Sequence, residues 1–224
     1  MYAVLKIYKG DWSNGMTEVS KTFSGSSILS SPAGNRRRTA VFYVTETSKK
    51  KEGKQMLNEK LILRMASFNK GDPKRIQHFI KVYEYAHMIG KLEGLDEKTQ
   101  KILDLAAILH DIGIRPSEEK YGRCDGKFQE QEGPVYAKEM LREFPEITKE
   151  ETDRICYLIG HHHTYTGIDG EDYRILLEAD FLVNAYEDAM SKDNICAFRN
   201  HVFRTKTGIE LLDTMFGITI LSPE

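Results

Sequence analysis

From Met56 to Phe216 apolar residues recur at helical spacing, interrupted by short polar breaks that carry helix start and stop signals. The first predicted helix is Leu57–Phe68. Asp72 then stands as an N-cap with Pro73 at the first helical position, and the helix it opens runs through His78 to Gly94, where Gly94-Leu95 forms a stop. Asp96 caps the next helix, which ends at His110-Asp111, with Gly113 just beyond it. Arg115 through Gly126 reads as a loop, long enough to be functional, and Gln129–Phe144 as a helix. Thr148 and Glu151 make a capping box for a helix running into His161-His162-His163. After a loop at Thr164–Asp169, the remaining helices are Glu171–Met190, Asp193–Arg204 and Thr207–Phe216. Residues 1–55 show no helical period and alternate in strand fashion only at Tyr2–Tyr8 and Thr39–Thr45. The pattern predicts an all-α helical body over 56–224, preceded by an N-terminal appendage, 1–55, of β or irregular structure that is disordered in part.

Four polar residues fall inside these apolar runs. His78 sits in Arg-Ile-Gln-His-Phe-Ile, His110-Asp111 follows Leu-Ala-Ala-Ile-Leu, and Asp180 lies in Leu-Leu-Glu-Ala-Asp-Phe-Leu-Val. A buried carboxylate without a partner costs several kcal/mol, so such a group persists only if it is paired or binds a metal. Two imidazoles and two carboxylates suit a divalent cation and cancel its charge. Neighbours on a helix point about 100° apart. His110 and Asp111 therefore reach one ion only beyond the end of their helix, with His78 and Asp180 supplied by a preceding and a following helix. Taken alone, His78 reads as a core histidine facing inward with Val82, Tyr85 and Ile89, and His87 on the same helix reads as structural.

Composition and charge narrow the function. The chain has 224 residues and a net charge of −2. Residues 1–55 hold ten Lys/Arg against four Asp/Glu, so the body carries the acidic excess. An acidic body argues against a nucleic-acid backbone as the main partner. The Arg36-Arg37-Arg38 run reads as an exposed solvated segment. No apolar stretch approaches the length of a membrane span and no signal-peptide layout is present. Cys124, Cys156 and Cys196 are odd in number and lack C-x-x-C spacing, which predicts reduced thiols and a cytoplasmic protein; Cys156 and Cys196 read as small core residues. There is no P-loop, no Rossmann glycine motif and no serine nucleophile elbow.

The order His78…His110-Asp111…Asp180 on a helical chain resembles the HD-domain superfamily of metal-dependent phosphohydrolases, over roughly Met56 to Phe216. The resemblance implies an all-α HD-domain bundle with His78, His110, Asp111 and Asp180 as ligands to Mn, Fe, Co, Ni, Zn or Mg. Two-metal members carry a His-His pair where this chain has His162-His163, and a further His opening a His-x-x-x-Gly stretch. Here that stretch is Gln129-Glu-Gln-Glu-Gly133. Glutamine is a poor ligand beside imidazole, so a mononuclear centre is expected, with His162 and His163 contacting phosphate or assisting protonation. The His-Asp-x-Gly-Lys pattern of the cyclic-di-GMP-hydrolysing branch is broken by Ile114, and no Gly-Tyr-Pro tripeptide occurs.

The expected function is hydrolysis of a small phosphate ester, a nucleotide first, through a metal-activated water. Asp111 or Asp180 would orient the water, and His162 or Arg115 would neutralise departing charge. Glu118, Lys120, Tyr121 and Arg123 border the expected site. The alternative is an HD module that senses a nucleotide or phosphorylated metabolite without turnover, motivated by Gln129 and Ile114. A homodimer is compatible with either reading.

Overall fold

The computed structural model describes residues 46–219, with side chains from Met56 onward. Nine α-helices and one 3-10 turn occur among the described residues, and no strand. They are α1 (Glu46–Phe68), α2 (Pro73–Leu92), α3 (Glu97–Leu109), the 3-10 turn His110–Gly113, α4 (Ile114–Tyr121), α5 (Gly126–Leu141), α6 (Lys149–Ile159), α7 (Glu171–Glu187), α8 (Lys192–Val202) and α9 (Lys206–Phe216). The described residues from Gln55 onward form one compact unit. No described helix is long and apolar enough to cross a membrane.

Capping follows the sequence closely. The Asp72 side chain accepts from the Arg75 amide at 3.0 Å. Asp96 accepts from Lys98 and Thr99, and Thr148 with Glu151 forms the full capping box of α6. Gly94, at φ +79°, ends α2 in the left-handed region, with the Leu95 amide donating back to the Gly90 carbonyl at 3.0 Å.

Two expectations needed correction. Helix α1 starts at Glu46, well before Leu57; its early residues Lys49, Lys50, Lys51, Lys54 and Gln55 favour helix yet carry no apolar stripe for periodicity to detect. The expected β or irregular structure at Tyr2–Tyr8 and Thr39–Thr45 lies outside the described residues. The segment after Gly113 is not a loop: α4 occupies Ile114–Tyr121 and ends at Gly122, φ +67°. Pro116 falls in the first turn of α4, where its missing N–H costs nothing.

The core lies around α3 and α7, where long buried runs enclose polar side chains such as Asp104, Glu178 and Asp180 as well as apolar ones. Helix α3 packs against α2, α6 and α7, while the 3-10 turn packs against α5. Asp104 on α3 is buried yet satisfied. It accepts from Asn58 of α1 at 3.2 Å and Gln100 at 2.7 Å, and pairs with His87 of α2 at 3.0 Å. His87 thus has a structural contact. Cys156 and Cys196, expected inside the core, are partly buried; the Cys156 thiol donates to the Pro134 carbonyl.

Candidate metal centre

Helix α3 gives way to a 3-10 turn at His110, and there His110 and its neighbour Asp111 bring their donor atoms within 3.4 Å of each other beyond the helix end. The 3-10 turn is held against α5 at glycine contacts. A Cβ on Gly113 would lie 2.5 Å from the Gln129 carbonyl oxygen and 2.9 Å from the Gly133 amide nitrogen. Gly113 was expected to stop a helix; its role is this close crossing, at an ordinary negative φ. The turn after α6 is fixed from α7, since the Tyr173 hydroxyl lies 2.7 Å from the His161 carbonyl and 2.6 Å from that of Thr164. Arg154 adds ion pairs to Asp169 and Asp172.

Four donor atoms converge. His78 Nε2 lies 3.3 Å from His110 Nε2, 3.4 Å from Asp111 Oδ2 and 3.2 Å from Asp180 Oδ1. His110 Nε2 lies 3.4 Å from Asp111 Oδ2 and 3.5 Å from Asp180 Oδ1. Donors about 2.1 Å from one ion at tetrahedral or right angles stand about 3.0–3.4 Å apart, so the set matches a divalent cation in spacing and chemistry. Each imidazole has its Nδ1 occupied elsewhere. His110 Nδ1 donates to the Ala107 carbonyl at 2.8 Å, and His78 Nδ1 faces Glu187 Oε2 at 3.1 Å. In its neutral form His110 therefore presents an Nε2 lone pair to the cluster, while His78 has a carboxylate at each ring nitrogen.

His162 repeats the arrangement. Its Nδ1 donates to the Ile159 carbonyl at 2.7 Å, leaving Nε2 buried without a hydrogen-bond partner, 3.6 Å from Asp111 Oδ1. An orphaned buried nitrogen aimed at a carboxylate fits a site built for a further ligand. His163 is close by: Asp111, His162 and His163 form a second group of candidate ligands sharing Asp111 with the first. Gln129, however, donates through its amide nitrogen to the Cys124 carbonyl and turns Oε1 to His163 Nε2 at 3.2 Å. That arrangement places the His163 proton on Nε2.

The electrostatics describe a cluster of mutually dependent charges. Burial opposes charge on His110, but Asp111 and Asp180 outweigh it and hold the imidazole well above its usual range. Burial likewise pushes Asp111 and Asp180 up, and the facing imidazoles, His110 foremost, hold both well below the usual carboxylate range. Burial and the adjacent His162 pull His163 down to about 4, so it is neutral near pH 7.

Arg115, expected to neutralise departing charge, is not among the residues brought together. Its guanidinium donates to the Phe68 carbonyl at 2.8 Å and to Glu119, one turn along α4, at 2.9 Å. Glu118 pairs with Arg75, Lys120 and Tyr121 with Glu132, and Arg123 with Asp125. The sequence reading missed the contact of Glu187 with His78. Glu187 follows Asp180 by seven residues, so it shares a helical face with a candidate ligand, a signal that was available.

A family model described as HD domain matches residues 75–198. The crystal structure of a predicted HD superfamily hydrolase from an uncultured Thermotogales bacterium is similar at 24% identity and a TM-score of 0.52. The match covers 71% of this chain and 84% of that one. None of the curated proteins matches.

Proposed function

This chain belongs to the HD-domain family, and from that premise we propose that it is a metal-dependent phosphohydrolase acting on a small phosphate ester, with a nucleotide as the first substrate class to test. The observation that carries the reading is the convergence of His78 Nε2, His110 Nε2, Asp111 Oδ2 and Asp180 Oδ1, each within 3.5 Å of His78 Nε2 or His110 Nε2. A divalent cation held there supplies Lewis-acid polarisation of a phosphoryl oxygen and a water acidified toward neutrality.

The surrounding side chains divide the remaining work. Asp111 offers Oδ2 to the donor cluster and turns Oδ1 toward His162, and it would orient the attacking water. His162 would hold the proton in transit at Nε2, its orientation fixed by the Ile159 carbonyl. His163 stays neutral and acts as a hydrogen-bond donor, not as the acid.

A single tightly held ion is part of the proposal, since Gln129 stands against His163 where an imidazole would complete a second site. The same substitution favours a second reading, a module that binds a nucleotide or phosphorylated metabolite without turnover. A phosphate-release screen over nucleotides and other small phosphate esters, with Mn²⁺ added, separates the two. Turnover lost in Asp111→Ala supports the hydrolase. Saturable binding of the same compounds with no phosphate released would favour the sensor.

A further inference from the structure

His78, His110 and His162 all turn Nε2 toward the centre, but they are held there by different means. For His110 and His162 the Nδ1 proton goes to a backbone carbonyl one turn earlier, of Ala107 and of Ile159. Those acceptors belong to the fold and no side-chain substitution removes them. His78 instead faces a side chain, with Glu187 Oε2 3.1 Å from its Nδ1. Seven residues make nearly two helical turns, so Glu187 lies under Asp180 on the same face of α7. One helix thereby grips the His78 ring by both edges, through Asp180 at Nε2 and Glu187 at Nδ1. The second Glu187 oxygen is taken by Lys81, one turn after His78 on α2. The Glu187 side chain is only 12% exposed, so water competes weakly for the imidazole proton.

We infer that Glu187 is a positioning residue for the metal centre: its Oε2 accepts a hydrogen bond from His78 Nδ1–H and so fixes the ring with Nε2 as the lone-pair donor. The inference rests on the metal-binding reading above. A carboxylate behind a ligating imidazole sets its tautomer and strengthens it as a donor, and its loss costs about 10–100-fold in metal affinity. Lys81 neutralises the outer oxygen and ties Glu187 to α2, so the contact also spans the packing of α2 on α7.

The test is Zn²⁺ binding by the full chain, measured against a competing chelator, together with long-range ¹H–¹⁵N correlation of the histidine rings in metal-free and Zn²⁺-loaded protein at alkaline pH. Glu187→Ala should raise the Zn²⁺ dissociation constant about 10–100-fold and leave His78 as a mixture of tautomers in the metal-free protein. Glu187→Gln keeps an acceptor oxygen, so its loss should be smaller and the Nδ1–H form should persist. Lys81→Met leaves Glu187 on the ring and should stay within about threefold of wild type. Wild-type affinity in Glu187→Ala, or an unchanged His78 tautomer there, overturns the inference. An equal loss in Lys81→Met also overturns it, by assigning the effect to the helix contact instead. If the unaltered chain takes up no Zn²⁺, the metal reading fails, while the metal-free tautomer still judges Glu187.

Discussion

At the scale of single residues, Asp180 shows what the centre requires. It is 5% exposed, and its Oδ1 faces both His78 and His110. Asp180→Ala should abolish metal retention, measured by elemental analysis after desalting, with helicity nearly intact; metal content equal to wild type would be damaging. Gln129→His should raise occupancy of a second ion, because it supplies an imidazole next to His163 and His162. Two equivalents already present in the unaltered protein would instead show that Gln129 or water completes that site. Arg115→Ala should change turnover by less than about twofold, given where its guanidinium is held. The candidate ligands were legible in the sequence because each breaks an apolar run, and a polar residue in such a run calls for an explanation. The partners of Arg115, the Phe68 carbonyl and Glu119, were not legible, because nearness in sequence to Asp111 says nothing of direction once the backbone turns into α4. Glu187 was overlooked because an acidic residue at the end of a helix passes for a solvated one.

At the scale of elements, caps and close crossings set the positions. Helix α6 depends on Thr148 and Glu151, and Glu151 is also paired with Lys101 of α3 at 2.9 Å. Burial pushes the Glu151 carboxyl up, but Lys101 and the Thr148 amide outweigh it and hold it below the usual range. A lowered carboxyl contributes stability that is present above its unfolded value, about 4.3, and is lost as pH falls through the lower folded value. Thr148→Ala should cost about 1 kcal/mol in denaturant unfolding at pH 7. Glu151→Gln should flatten the acid limb of the stability–pH curve below about pH 4.3; an unchanged limb would contradict the pairing. Gly113→Ala should destabilise the fold by about 1–3 kcal/mol and weaken metal uptake, since the added Cβ meets the α5 backbone beside His110 and Asp111. Wild-type stability in that variant would show that the crossing relaxes freely. Most helices were legible from capping residues and apolar period. The early turns of α1 and the whole of α4 were not, because a charged helix without a stripe and a short helix opened by Arg-Pro both resemble loops.

At the scale of the whole molecule, α2, α3 with its 3-10 extension, and α7 supply all four candidate ligands, and the α2, α3 and α7 helices pack mutually. The ligand set thus draws on the most buried part of the unit from Gln55 onward. A chain starting at Met56 keeps Leu57, Leu61 and Met65, the buried side of α1, and should be soluble and take up metal as the full chain does. Aggregation of that shorter chain would show that residues 1–55 cover apolar surface of the body. The helical class of the body and its family resemblance were legible because patterning and ligand order are properties of the chain; the arrangement of α4 and α5 beside the centre was not, because it depends on how Gly113 lets the 3-10 turn approach the α5 backbone. The central claim is that His78, His110, Asp111 and Asp180 hold one divalent cation. The most direct measurement is an anomalous difference map from crystals grown with Mn²⁺. The account predicts one strong peak per chain, about 2.0–2.3 Å from a donor atom of each of the four side chains. A map with no peak among them, or with its strongest peak elsewhere, would contradict it.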